Sequence, residues 1–415
     1  MPMDISLKNL FLLSSSTFIS SLGSILLQIS LTFYFYETTK SALLTGILVS
    51  LQWLPALLIV FIRNNWEFGK SPLLKWKLSE ICALTITGLL ILFVDKSIYW
   101  VIAILFVRGM FDQIVRVNRT VACRYVFDNK KQQFYSSILQ SSYHIGISVA
   151  AIFAILFIGK LNLKGIIVIN LITYIISIFL ITLSRTLKDF PKIQSSDSNN
   201  ILFGIKDYFV ILKNNGILRL YALLFPITAI FFQGTYSVLQ TIYPLQKYHI
   251  SANESSMSYV VAGIAIISGS VAFTYVSNKI DLYNGFSKLI VVTLSLLTVI
   301  TYVFSLAVSD KFQALILFMI MVFIFEILWM YGYIGTVKYS PNGKLSLIYG
   351  ISFSIGCFGA GLMSMLLGFL LDLISNQFLK LILISNIIYM VMIFLLCQKN
   401  IFIVKELGVP NEKLD

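Results

Sequence analysis

Arg108, Asp112, Arg116 and Arg119 follow one another at spacings of four, four and three in "AILFVRGMFDQIVRVNR". On an α-helix those intervals put all four charges on one face. The residues before them, "VIAILFV", are lipid-like. A charge at the centre of a bilayer costs at least about 2.5–3.5 kcal/mol on insertion scales, and it normally faces a cavity or a partner. The chemistry open to the stripe is proton handling. Asp112 is a candidate protonatable switch, held between two cations. The other reading of Arg108 and Asp112 is a structural i,i+4 ion pair that ties its helix to neighbours. Arg116 and Arg119 are expected where the helix leaves the bilayer, with their heads snorkelling to the interface.

Other polar residues stand out in apolar runs. Glu326, in "MVFIFEILWMYGYIG", has nothing basic within a helical turn. It either takes a proton or finds a partner on another helix. Gln28 and Tyr34 lie in one run, and Gln140, Tyr143 and His144 in another. Gln233, Tyr236 and Gln240 lie in a third, three and four residues apart, so they share a helix face, as do Gln140 and His144. These eight are candidate substrate contacts, set against the packing role that most membrane aromatics have. His144 is open to two roles, a titrating group or a neutral hydrogen-bonding group between helices. Glu80, beside Lys77, reads as structure at a membrane face, and Asp372 as interfacial.

The elements that must position these groups follow from hydropathy. The chain has 415 residues, 58% hydrophobic and 12% charged. A soluble domain carries about twice that charge. A helix needs about 20 apolar residues to cross a hydrocarbon core of about 30 Å. Twelve runs qualify, at 10–36, 42–63, 79–95, 98–118, 135–159, 165–184, 218–242, 258–278, 286–308, 312–336, 346–371 and 378–398. The predicted fold is therefore an all-α membrane protein of twelve transmembrane helices in two six-helix halves, 1–185 and 218–398. A linker, 186–217, joins them and contains an amphipathic helix, "ILFGIKDYFVILKNN", expected to lie on the membrane surface. A tail, 399–415, follows.

Of the 31 Lys and Arg, 23 fall in the tails and in the loops after even-numbered spans. The positive-inside rule then puts both termini in the cytoplasm. That alternation accounts for the net charge of +13 without a nucleic-acid partner. Cys82, Cys123, Cys357 and Cys397 show no metal-ligand or redox spacing. No metal or cofactor is expected, and no phosphate loop is present to support ATP hydrolysis. No clustered His, Asp, Glu and Cys set suggests an enzyme. No cleavable signal peptide is expected at the start of the chain.

Several stretches resemble the major facilitator superfamily, and within it the branch of macrolide-efflux proteins and enterobactin exporters. They are "FISSLGSILLQISLTFYFYETTKSALLTGILVSLQWLPALL", the Arg-Gly segment "FVRGMFDQIVRVNRTVACRYV", "INLITYIISIFLITL", and "SPNGKLSLIYGISFSIGCFGAGLMSMLLGFLLD" with its Gly-x-x-x-Asp ending. The family's loop after span two usually carries an Asp-Arg pair. Here it reads "RNNWEFGKSPLLKWK", with Trp66 and Glu67 in those places while Gly69 and Lys70 remain. The equivalent later loop has Asn278 and Lys279. The resemblance implies a monomeric secondary transporter of the bacterial plasma (inner) membrane. It would export a small amphipathic molecule by alternating access, driven by protons, with Arg108 facing the cavity. A dedicated exporter of one secreted metabolite, a siderophore or a small peptide antibiotic, is the neighbouring expectation.

Overall fold

The computed structural model describes residues 5–58, 71–128, 132–157, 162–187, 201–279, 287–341, 344–374 and 377–398. Its regular elements are helices. They are α1 (Ile5–Thr39), α2 (Ala42–Ser50), α3 (Pro72–Phe93), α4 (Ile98–Val126), α5 (Gln132–Phe157), α6 (Leu163–Leu183) and α7 (Ile201–Asn214). Then come α8 (Gly216–Thr228), a π-helical turn (Ala229–Gln233), α9 (Gly234–Lys247), α10 (Ala252–Ser255), α11 (Met257–Lys279), α12 (Ser287–Ala307), α13 (Lys311–Tyr339), α14 (Leu345–Leu373) and α15 (Phe378–Gln398). Among the described residues, 11 helical stretches are long and apolar enough to cross a membrane, with α8, the π turn and α9 forming one of them. The chain is a multi-pass membrane protein.

The expected second span, 42–63, is described as far as residue 58. Trp66, Glu67, Gly69 and Lys70 lie outside the described residues, as do the side chains of Asn278 and Lys279, residues 188–200 of the linker and the tail.

Helix starts follow the capping chemistry of the sequence. Ser41, Ser71, Asn162, Asn215 and Asp310 each accept a hydrogen bond from the backbone N–H three residues on. This satisfies a donor that has no partner within its helix. Two prolines break the regular pattern where the chain borders the interior. After α2 the backbone runs through turns around Pro55, and the Gln52 carbonyl is taken up by the side-chain amide of Gln113 on α4. Pro226 lies inside α8, three residues before the π-helical turn begins. A proline removes one N–H from the helical ladder, and π turns of this kind recur at functional sites.

α1 packs against α5 and α6, α3 against α4 and α6, and α13 against α8, α11 and α12. Among the described residues, the most extensive interfaces between helices of 5–183 and helices of 216–398 are α2 with α14 and α5 with α11. The α2–α14 crossing is close because it is built on glycine. A Cβ on Gly46 would stand 2.5 Å from the Ser364 carbonyl oxygen, and one on Gly368 would stand 2.5 Å from that of Ala42. At one end of this crossing the Asp372 carboxylate caps α2. It accepts from Ala42 N at 2.7 Å, Leu43 N at 2.9 Å and Ser41 Oγ at 2.8 Å.

Outward faces carry exposed Phe179, Leu289 and Ile387, as a lipid-facing surface should. α7 was expected to lie on the membrane surface, and it docks one face on protein. Tyr208 and Leu212 are buried against Ile348 and Ile351 of α14, and the Tyr208 hydroxyl pairs with Ser352 Oγ at 3.0 Å. Phe209 and Val210 remain exposed on its other side.

Candidate functional site

Two adjoining cavities lie between the helices, with about 840 and 1360 Å³ of space not filled by atoms, their open mouths included. Gln28, Gln52, Arg116, Arg119 and Tyr143 line both, so the two spaces meet. The helix breaks described above bring the chain to these walls. Gln52 and Trp53 precede Pro55, and Gln233 ends the π turn.

Arg108, Asp112 and Glu80 border the smaller cavity. Arg108 is buried, and its Nε lies 3.6 Å from Asp112 Oδ2, the i,i+4 contact read from the sequence. A third group completes this cluster. The Tyr174 hydroxyl on α6 accepts from Arg108 Nε at 3.3 Å and from Ser24 Oγ at 3.2 Å, and donates to Asp112 Oδ1 at 3.0 Å. The tyrosine therefore bridges acid and base while tying α4 to α1 and α6. Glu80 is 1% exposed and accepts from Trp76 Nε1 at 3.0 Å. It is held by the indole one turn earlier on the same helix, at the wall of the smaller cavity.

The larger cavity gathers Gln28, Gln140, Tyr143, His144, Gln233, Tyr236, Gln240 and Glu326. The Gln140 amide and His144 Nε2 are 3.3 Å apart, in keeping with their shared face. Glu326 is 3% exposed, and its partner comes from another helix, Ser270 of α11, whose Oγ donates to Oε1 at 2.6 Å. Tyr34 is the outlier. It lines neither cavity, is 43% exposed, and meets Phe35 edge-on.

The expectation that Arg116 and Arg119 reach the interface is also corrected. Both line the cavities, and Arg119 is 7% exposed. Aromatic rings hold them. The Arg116 guanidinium lies 4.8 Å from the centre of the Trp53 ring and 5.1 Å from that of Tyr143, and Arg119 lies 4.9 Å from the Tyr143 ring. Arg116 Nη2 donates to the Tyr143 hydroxyl at 2.6 Å. Cation–π contacts of this kind favour a guanidinium without neutralising it. Spacing alone could not reveal this, because the rings come from α5 and from the broken end of α2. Tyr174 was missed for the same reason, since its partners lie 62 and 66 residues away. Among the described residues, no group of three or more His, Cys, Asp and Glu is placed to hold a metal.

The sequence profile of the Major Facilitator Superfamily matches residues 13–361. No curated protein matches the sequence. Solved structures share the fold at low identity. A nucleoside transporter is 13% identical, covers 96% of this chain and 100% of its own, and has a TM-score of 0.68. A human organic anion transporter is 12% identical, covers 95% and 100%, and scores 0.69. The E. coli fucose:proton symporter is 14% identical, covers 96% and 99%, and scores 0.61.

Proposed function

The chain belongs to the Major Facilitator Superfamily, whose members are transporters, and from that premise we propose that it is a secondary active exporter of a small amphipathic compound. Two six-helix halves, 1–185 and 218–398, rock about the central cavities and expose them to either side in turn. Protons drive the cycle. Asp112 carries the proton and Arg108 and Tyr174 set its surroundings, with Glu326 as a second acidic site in the larger cavity. Gln28, Gln140, Tyr143, His144, Gln233, Tyr236 and Gln240 contact the substrate. The protein acts as a monomer in the bacterial inner membrane with both termini in the cytoplasm.

The observation that carries this reading is a carboxylate, Asp112, tied to the buried Arg108 both directly and through one tyrosine hydroxyl at a cavity wall. In the proposed cycle that arrangement alternates between two forms. With Asp112 charged, Tyr174 donates to it. With Asp112 protonated, the tie to Arg108 is released and α4 is free to shift against α1 and α6. A structural relative that is by name a proton symporter supports proton coupling as chemistry within reach of this fold. Outward direction rests on the resemblance to macrolide-efflux proteins and enterobactin exporters.

The Asp372 cap on α2 supports alternation as well. It joins the proposed halves at one end of the α2–α14 crossing, where by the proposed topology it closes the outer side. The test is outward flux from cells expressing the chain, with and without a protonophore. A protonophore-sensitive flux of any compound from a panel of macrolides, lipophilic cations, siderophores and peptide antibiotics supports the reading. Flux that persists with the protonophore refutes the coupling.

A second reading, export of one dedicated metabolite, is favoured by Trp66 and Glu67 standing where the family usually has Asp-Arg. It predicts that a single compound on the panel moves.

A further inference from the structure

Three guanidiniums and three carboxyls line the two cavities, but they are not paired one to one. Arg108 is matched by Asp112. Glu80 and Glu326 are held by Trp76 and Ser270. Arg116 and Arg119 have rings and one hydroxyl, and among the described residues neither has a carboxylate within ion-pair distance. Arg119 is more than nine-tenths buried and lines both cavities. Removing two guanidiniums from water is costly unless a counter-charge accompanies them. Rings supply attraction but no negative charge.

We propose that the missing counter-charge arrives with the cargo, and that the larger cavity binds an amphipathic organic anion through Arg116 and Arg119. A guanidinium fork matches the paired oxygens of a carboxylate, sulfonate or phosphate. The two arginines are one turn apart on α4, and both are oriented by Tyr143. The rest of the same cavity suits a flat apolar body. Phe325, Trp329, Tyr349 and Phe353 line it, with ring centres 5.8 Å apart for Phe325 and Trp329 and 5.7 Å apart for Tyr349 and Phe353. One cavity thus offers a cationic end and an aromatic wall, which is the complement of an aromatic acid.

This assignment rests on the exporter reading for the use of the cavity, but it is tested by binding at equilibrium. A failure of anion selectivity leaves proton-driven flux standing, and a failure of flux leaves selectivity measurable.

The probes are three aromatic bodies, naphthalene, biphenyl and indole, each as the acetate, the neutral acetamide and the ethylammonium. Binding to the purified full chain in phosphatidylcholine nanodiscs is followed by isothermal titration calorimetry. For at least one body, the acetate should bind about 10-fold or more tighter than its acetamide, and the ammonium weakest. Arg116→Gln and Arg119→Gln should each bring the acetate to within about 3-fold of the acetamide. The readout is the ratio of acetate to acetamide affinity in each variant, and elution as a single species reports that the variants are folded. Arg119→Lys should restore part of the preference. Adding phosphatidylglycerol should leave acetate binding intact.

Equal affinity of matched acetates and acetamides, preference for the ammonium, or no binding by any body overturns the proposal. So does selectivity that survives both Gln variants. Loss of acetate binding to phosphatidylglycerol assigns the arginines to lipid and overturns it as well.

Discussion

Replacing Asp372 by Asn should open the outer end of the molecule. The carboxylate accepts three hydrogen bonds, one on Oδ1 from Ala42 N and two on Oδ2 from Leu43 N and Ser41 Oγ. An amide keeps one acceptor oxygen, and its NH2 must face the N–H of either Ala42 or Leu43. The variant therefore loses at least one bond to a helix N-terminus, together with the negative charge that the terminus favours. Caps and helix-end charges of this kind contribute about 0.5–2 kcal/mol. Asp372 is exposed, so water recovers part of the loss and about 1 kcal/mol is the reasonable figure.

These contacts exist only while α2 and α14 touch at that end. The whole loss therefore falls on the described conformation and none on the one that opens there. The outward-open population should rise about 5-fold. The assay is the rate at which a membrane-impermeant thiol reagent, added from outside, labels Gln240→Cys in a chain whose four natural cysteines are replaced by serine. An increase of about 3- to 10-fold with Asp372→Asn is expected. An unchanged rate in a variant that elutes as a single folded species would show that the cap does not hold the outer side closed.

Tyr174→Phe removes the hydroxyl that joins Arg108, Asp112 and Ser24 and leaves the ring in place. Protonophore-sensitive efflux should fall about 10-fold or more, the value of a buried hydrogen bond to a charged group; efflux equal to wild type would leave Tyr174 a packing residue. Gly46→Val drives a side chain into the Ser364 carbonyl and should cost about 1–3 kcal/mol of overpacking, read as a lower unfolding temperature in detergent. Gly88→Ala is the matched control. Nothing lies within 4 Å of its Cβ position, so stability should hold or rise.

Hydropathy made the helices legible. The predicted run 378–398 coincides with α15, and 258–278 and 312–336 fall within α11 and α13. Length and apolarity are local properties, so a sequence displays them directly. Arg108 and Asp112 were readable because both partners of an i,i+4 pair lie on one helix. Gln233, Tyr236 and Gln240 were readable because a shared face survives any packing. Groups whose meaning depends on other helices were not. Tyr174 looks like one more aromatic in "INLITYIISIFLITL" until its hydroxyl is found between α1 and α4. Arg116 and Arg119 stand near the predicted end of their span, and only Trp53 and Tyr143 show that they turn inward. Tyr34 lines neither cavity, and an amphipathic side chain near a helix end gives no sign in the sequence of which way it faces.

The central claim is that Asp112 carries the proton that drives export. The most direct measurement reconstitutes the purified full chain, wild type and Asp112→Asn, into vesicles and follows a panel compound that the cellular assay shows to move. Wild type should concentrate it when a pH gradient is imposed and exchange it across the membrane without one. The account predicts that Asp112→Asn keeps the exchange and loses the concentration, because the carrier still alternates but no longer takes a proton. Gradient-driven concentration equal to wild type in Asp112→Asn would contradict the account.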